Sequence, residues 1–76
     1  MNADEMKFTQ LKKLELLREK ARNQLVRDLK DTLDGELSGR TEQLYELRIL
    51  TRAESDHEHV KNDVALGRAS PLVLGE

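Results

Sequence analysis

The densest cluster of groups able to do chemistry is Glu54, Asp56, His57, Glu58, His59 and Asp63. Carboxylates and imidazoles four residues apart on a helix share a face, and such ligands suit zinc, manganese or iron. His59 with Asp63, and Glu54 with Glu58, have that spacing. The second His that a helical metalloprotease motif requires is missing. A solvated helix face with ion pairs four residues apart accounts for the whole cluster, so no metal and no cofactor are expected. His57 lies between Ala53 and Val60 on the expected apolar seam. There it would be a packed residue, and protonation near pH ~6.5 would weaken an association made through that seam.

Lys13, Lys20 and Arg27 recur every seven residues, with Lys12, Arg22 and Lys30 nearby. A continuous helix would put the three on one face, as phosphate binding requires. Against this stand a formal net charge of −2 and only Phe8 and Tyr45 as rings for base stacking. Nucleic-acid binding is therefore the alternative reading rather than the first. Catalytic groups are scarce. There is no Cys. Ser38, Ser55 and Ser70 fall in cap or tail contexts. Gly35 and Gly39 are not followed by the Lys-Ser/Thr of a phosphate loop. The chain is not expected to be an enzyme.

The elements that would position these groups are helical. Leu11, Leu14, Leu17, Ala21, Leu25, Leu29 and Leu33 recur at three- and four-residue steps, close to the period of an amphipathic helix. No Gly or Pro interrupts residues 3–34. Asn2 can cap the start with Glu5 three residues on. The spacing predicts one helix over about 3–34, roughly 45 Å long. Gly35-Glu36-Leu37-Ser38-Gly39 reads as a loop, with Ser38 capping a second helix and Leu37 stapled onto its first turn. That helix is expected over about 40–66, ended by Gly67. Its seam is Leu50, Ala53, His57, Val60 and Val64. A competing reading breaks it near residue 55, where Ser55 and Glu58 have capping-box spacing, leaving a short third helix over 56–66. Residues 67–76 form a tail with an apolar run, Leu72-Val73-Leu74, which would be extended.

The expected fold class is thus all-α: an antiparallel helical hairpin over 1–66 with a short tail. Seventy-six residues make one domain at most, and a chain this short buries only about 60% of its unfolded surface. Two apolar stripes facing each other make a thin seam. Leu16, Val26, Tyr45 and Ile49 lie off it, and Leu72 and Leu74 lie beyond it. These six are the expected protein-binding residues. A homodimer forming a four-helix bundle would complete the core; a partner protein and the Leu72–Leu74 tail folded over the hairpin are the second and third remedies. Residues 7–30 carry a surplus of positive charge and residues 42–63 a surplus of negative charge, which would set the register of the hairpin. Four pairs within helices are expected to add to this: Arg27/Asp31, Lys30/Asp34, Arg52/Asp56 and His59/Asp63.

No stretch approaches the ~18 apolar residues of a membrane span. The N-terminal residues lack the basic flank and apolar block of a signal peptide, so a cytoplasmic location is expected. No motif identifies a family; in length and hairpin outline alone the chain resembles small helical-hairpin cochaperones of bacterial secretion systems and small phage proteins that bind host factors. The functional expectation is a small non-catalytic protein-binding module of the regulator, inhibitor or cochaperone type. A nucleic-acid-binding accessory using Lys13, Lys20 and Arg27, or a self-assembling structural subunit, are the alternatives.

Overall fold

The computed structural model describes residues 2–70 and contains three helices: α1 (Ala3–Asn23), α2 (Arg27–Glu46) and α3 (Arg52–Ala65). The all-helical class is as expected. The two-helix hairpin is not: both long helices are cut, and the expected loop at 35–39 lies inside α2.

α1 begins as its sequence predicts. Asn2 accepts the Glu5 backbone N–H at 2.8 Å, and Asp4 and Glu5 sit in the first turn, where the helix dipole favours acids. It ends without Gly or Pro. Gln24 turns extended, and its side-chain oxygen accepts the Val26 N–H at 3.0 Å. That bond serves a backbone donor left free by the break. Packing supplies the reason for the break. A helix continuing to residue 34 would carry Leu29 and Leu33 past any partner. Bending at 24–26 returns Leu37 and Leu44 onto Leu14 and Ala21, with Leu11, Leu17 and Leu33 around them.

α2 runs through both glycines because its apolar face does. Leu33, Leu37, Thr41 and Leu44 keep helical spacing, and Leu37 and Thr41 are fully buried. Gly35 and Gly39 face solvent, where a β-carbon would meet nothing within 4 Å. Leu37 is therefore a core residue rather than a staple, and Ser38 lies within the helix rather than capping one.

The second helix does break, but ahead of the expected place. The chain turns at 47–51, with Arg48 in the left-handed region (φ 61°) and the Ile49 and Leu50 N–H groups both donating to the Leu44 carbonyl. Leu50 drops into the core. Thr51 and Glu54, not Ser55 and Glu58, form the capping box of α3: Thr51 accepts the Glu54 N–H at 3.1 Å and the Glu54 carboxylate accepts the Thr51 N–H at 3.0 Å. Gly67, at φ 78°, terminates the segment as expected.

α3 also presents a different face. Ser55, Glu58, Asn62 and Ala65 are buried, whereas Ala53 and His57 are exposed and Val60 and Val64 are half-buried. His57 is thus not a seam residue. α3 lies alongside α1 in the same direction, with Lys7 paired to Glu54 and Arg18 to Glu58 and Asn62. It opposes α2, with Asn62 on Thr41 and Arg68 on Asp34. The third helix closes one side of the α1–α2 pair, and Leu16, Val26 and Tyr45 stay exposed. Among the described residues no helix is long and apolar enough to cross a membrane.

Candidate functional site

Two regions of the bundle depart from the ordinary pattern of apolar inside and polar outside. The first is its waist. Arg18 belongs to the inward face of α1, between Leu14 and Ala21, and only 2% of it is exposed. Its Nε donates to Asn62 Oδ1 at 2.8 Å. Its Nη2 donates to the Glu58 carboxylate at 3.0 Å and to the Glu58 carbonyl at 3.1 Å. Asn62 donates onward to Thr41 Oγ1 at 3.1 Å, and Thr41 donates to the Leu37 carbonyl at 2.8 Å. Lys61 and Glu15 complete the charge balance from the rim, at 3.3 Å from Glu58 and 3.4 Å from Arg18. One chain of hydrogen bonds therefore crosses all three helices. Among the described residues no buried side-chain nitrogen or oxygen lacks a partner. A network so fully satisfied specifies one packing.

The second region is the elbow between α1 and α2. Leu25 is 96% exposed, and Leu16, Val26 and Leu29 are each more than half exposed. Leu16, Leu29 and Leu33 line an open groove of about 730 Å³ between α1 and α2, edged by Glu19, Lys20, Asn23, Gln24 and Thr32. An apolar concavity with a few polar groups at its margin is the usual form of a binding site. The Leu25 side chain, expected at the centre of a buried stripe, projects into solvent because the break at 24–26 takes it off both helices.

The expected protein-binding residues fall into two groups. Leu16 and Val26 lie in the elbow half. Tyr45 and Ile49 lie at the opposite end, where Tyr45 borders a shallow depression with Glu42, Arg52, Ser55 and Asp56, and Ile49 is half-buried against the core. Leu72 and Leu74 lie outside the described residues. Leu25 and Leu29 belong with Leu16 and Val26, but their helical spacing assigned them to the core.

The basic stripe is divided. Lys13 and Lys20 are on α1, whereas Arg27 opens α2 beyond the break, so the seven-residue repeat no longer gives a common face. All three are exposed. Much of the remaining positive charge of residues 7–30 is neutralised within the bundle: Lys7 by Glu54, Arg18 by Glu58, Arg22 by Glu15 at 2.8 Å. Lys12 lies over the Phe8 ring, 5.4 Å from its centre. Three side chains of the 54–63 cluster are likewise engaged, while Asp56, His57 and Asp63 are exposed. Glu54 holds Lys7 and the cap, Glu58 holds Arg18, and His59 meets Glu42 at 2.8 Å. Among the described residues no group of three His, Cys, Asp or Glu side chains is placed to hold a metal ion.

Protonation follows these contacts. The Lys7 ammonium and the Thr51 N–H hold the Glu54 carboxyl down at about 2. Partial burial pushes the Glu15 carboxyl up, but hydrogen bonds from Arg22 and Arg18 outweigh it and leave the group below its ordinary range. Asp34 raises Arg68 further above its already high value. The acids expected to pair within α2 pair across helices instead: Arg68 lies 2.6 Å from Asp34 and 3.9 Å from Asp31.

No protein family, curated protein or solved structure matches the chain.

Proposed function

We propose that this chain is a small non-catalytic protein-binding module whose contact surface is the elbow between α1 and α2. The observation that carries this reading is the exposure of Leu16, Leu25, Val26 and Leu29 together at one end of a bundle whose core closes without them. Contiguous apolar surface rimmed by polar groups is the usual mark of an interaction site. The occupant that fits is an amphipathic helix of a partner protein. The groove runs between two antiparallel helices, its floor is leucine, and its rim carries both charge signs in Glu19 and Lys20.

The test compares the intact chain with a Leu25→Asp, Leu29→Asp variant as bait, with and without nuclease, after circular dichroism has established equal helicity. A protein retained by the first bait and lost from the second, irrespective of nuclease, supports the reading. Equal capture by both baits sinks it. Capture that disappears with nuclease would replace it with the nucleic-acid reading. If the protein retained is the chain itself, the partner is a second copy.

A further inference from the structure

The elbow groove is one end of a longer face. α1 and α2 run antiparallel, and α3 covers one side of the pair. On the open side, helical spacing prolongs the line of the groove residues. Steps of seven back from Lys20 lead to Lys13 and Met6 on α1. Steps of seven, four and seven forward from Leu29 lead to Glu36, Arg40 and Leu47 along α2. Met6 and Leu47 are exposed at the far end, as Leu16 and Leu29 are at the elbow. Leu47 stands 18 positions after Leu29, a rise of roughly 27 Å. The face is therefore apolar at both ends and charged between them. Those charges do not cancel. Glu36 and Arg40 pair with each other at 3.6 Å. Lys13 and Lys20 are exposed, and neither has an ion-pair partner among the described residues. Against these two bases the groove margin offers one acid, Glu19.

We propose that the occupant of this face is an acidic amphipathic helix. Its apolar stripe lies on the exposed leucines and Met6, and carboxylates about seven residues apart beside that stripe meet Lys13 and Lys20. The proposal rests on the elbow reading above and names the chemistry of the partner. Successive residues of a helix turn by about 100°, so Lys13 and Lys20 fall between Leu16 and Leu17 around α1. A helix that covers the leucines therefore covers the lysines as well. Covering an ammonium strips water from it, and a buried charge without a counter-charge is costly. A neutral or basic helix leaves both lysines uncompensated, whereas an acidic one compensates both. A second copy docked through the same face brings two lysines for each Glu19 and leaves the interface positive. Opposite charge at the margin of an apolar contact selects among partners more than it adds affinity.

The experiment uses the full chain and two labelled synthetic helices of about 18 residues. Both carry the same leucine stripe; beside it, one has glutamates seven residues apart and the other lysines. Fluorescence anisotropy should show the acidic helix binding the intact chain about tenfold more tightly than the basic one, a preference that shrinks as salt is raised. Lys13→Glu, Lys20→Glu, at two exposed sites, should reverse the order, and Leu29→Asp should weaken both helices. Equal binding of the two helices would overturn the acidic partner while leaving the elbow a binding surface. Binding of neither, or a preference that persists in the Lys13→Glu, Lys20→Glu variant, would overturn the proposal as well. So would tighter binding of a DNA duplex through the same lysines, or self-association of the intact chain that Leu29→Asp abolishes. Failure of the elbow reading itself is seen separately, as equal capture by the intact chain and the Leu25→Asp, Leu29→Asp bait.

Discussion

At the waist, Arg18, Thr41, Glu58 and Asn62 are sealed from water; at the elbow, Leu16, Leu25, Val26 and Leu29 stand in it. Both regions draw on α1 and α2, and only the waist adds α3. Hydropathy alone would exchange them. What separates them is where the third helix lies. α3 packs along the side of α1 that carries Arg18, and its own inward face is Ser55, Glu58, Asn62 and Ala65. Polar groups there can meet polar groups. The other side of the α1–α2 pair receives no third helix, so its leucines have no cover within residues 2–70. Burial in so small a bundle is set by which faces find a neighbour, and polar residues become interior when they arrive as a complementary set.

The comparison predicts effects of very different size. The largest belongs to Arg18. Arg18→Ala leaves the Glu58 carboxylate and the Asn62 amide buried without their donor, and should cost about 3–5 kcal/mol. That is much of the 5–15 kcal/mol that typically holds a domain together, and urea denaturation followed by circular dichroism reads it directly. An unchanged midpoint would mean that the waist is not a single network. Next are the α2 glycines, which belong to neither region. Gly35→Ala and Gly39→Ala should each raise stability by about 1 kcal/mol, since both sites are open and helical. A loss instead would show that α2 does not run unbroken from elbow to turn.

Acid should act more weakly, and at the end away from the elbow. The folded-state carboxyl of Glu54 is depressed to about 2 from an ordinary 4.5. Its contribution is therefore complete above pH 4.5 and is lost as pH falls through that window toward 2. Hydrogen exchange along such a titration should show the first turn of α3 opening before residues 24–29 change. Glu54→Gln should remove that pH-dependent step. The smallest effect is expected at the elbow. Leu25→Asp should leave the unfolding free energy, read by urea denaturation, within about 0.5 kcal/mol of the original, as at an ordinary surface site. A large loss would put Leu25 in the core and erase the contrast.

How far the sequence revealed this arrangement differs from element to element. The helical class, the Asn2 cap and the stop at Gly67 were readable, because each depends on residues adjacent in the chain. The break at 24–26 was not. Gln24-Leu25-Val26 contains no breaker, and the bend is dictated by what Leu37 and Leu44 find on α1. The glycines misled for a related reason: Gly35 and Gly39 read as a loop, yet the spacing of Leu33, Leu37, Thr41 and Leu44 passes through them undisturbed. That spacing was the better signal. At the candidate site, Leu16 and Val26 stood out as surplus to a seam, whereas Leu25 and Leu29 were hidden in an uninterrupted stripe. The waist left little trace, since polar residues at helical intervals normally mark a wet face. Only Arg18, set between Leu14 and Ala21, gave a hint.

The bond from Arg18 to Asn62 spans 44 residues of chain. Each helix otherwise reaches its neighbour through a connection of a few residues, and bundles of this kind assemble fast. A contact between the first helix and the last belongs to the final stage of such an assembly. Interactions made after the rate-limiting step leave the speed of folding alone and slow its reversal. The waist is thus a latch on lifetime: removing Arg18 should shorten the time the chain spends folded and barely alter the time it takes to fold.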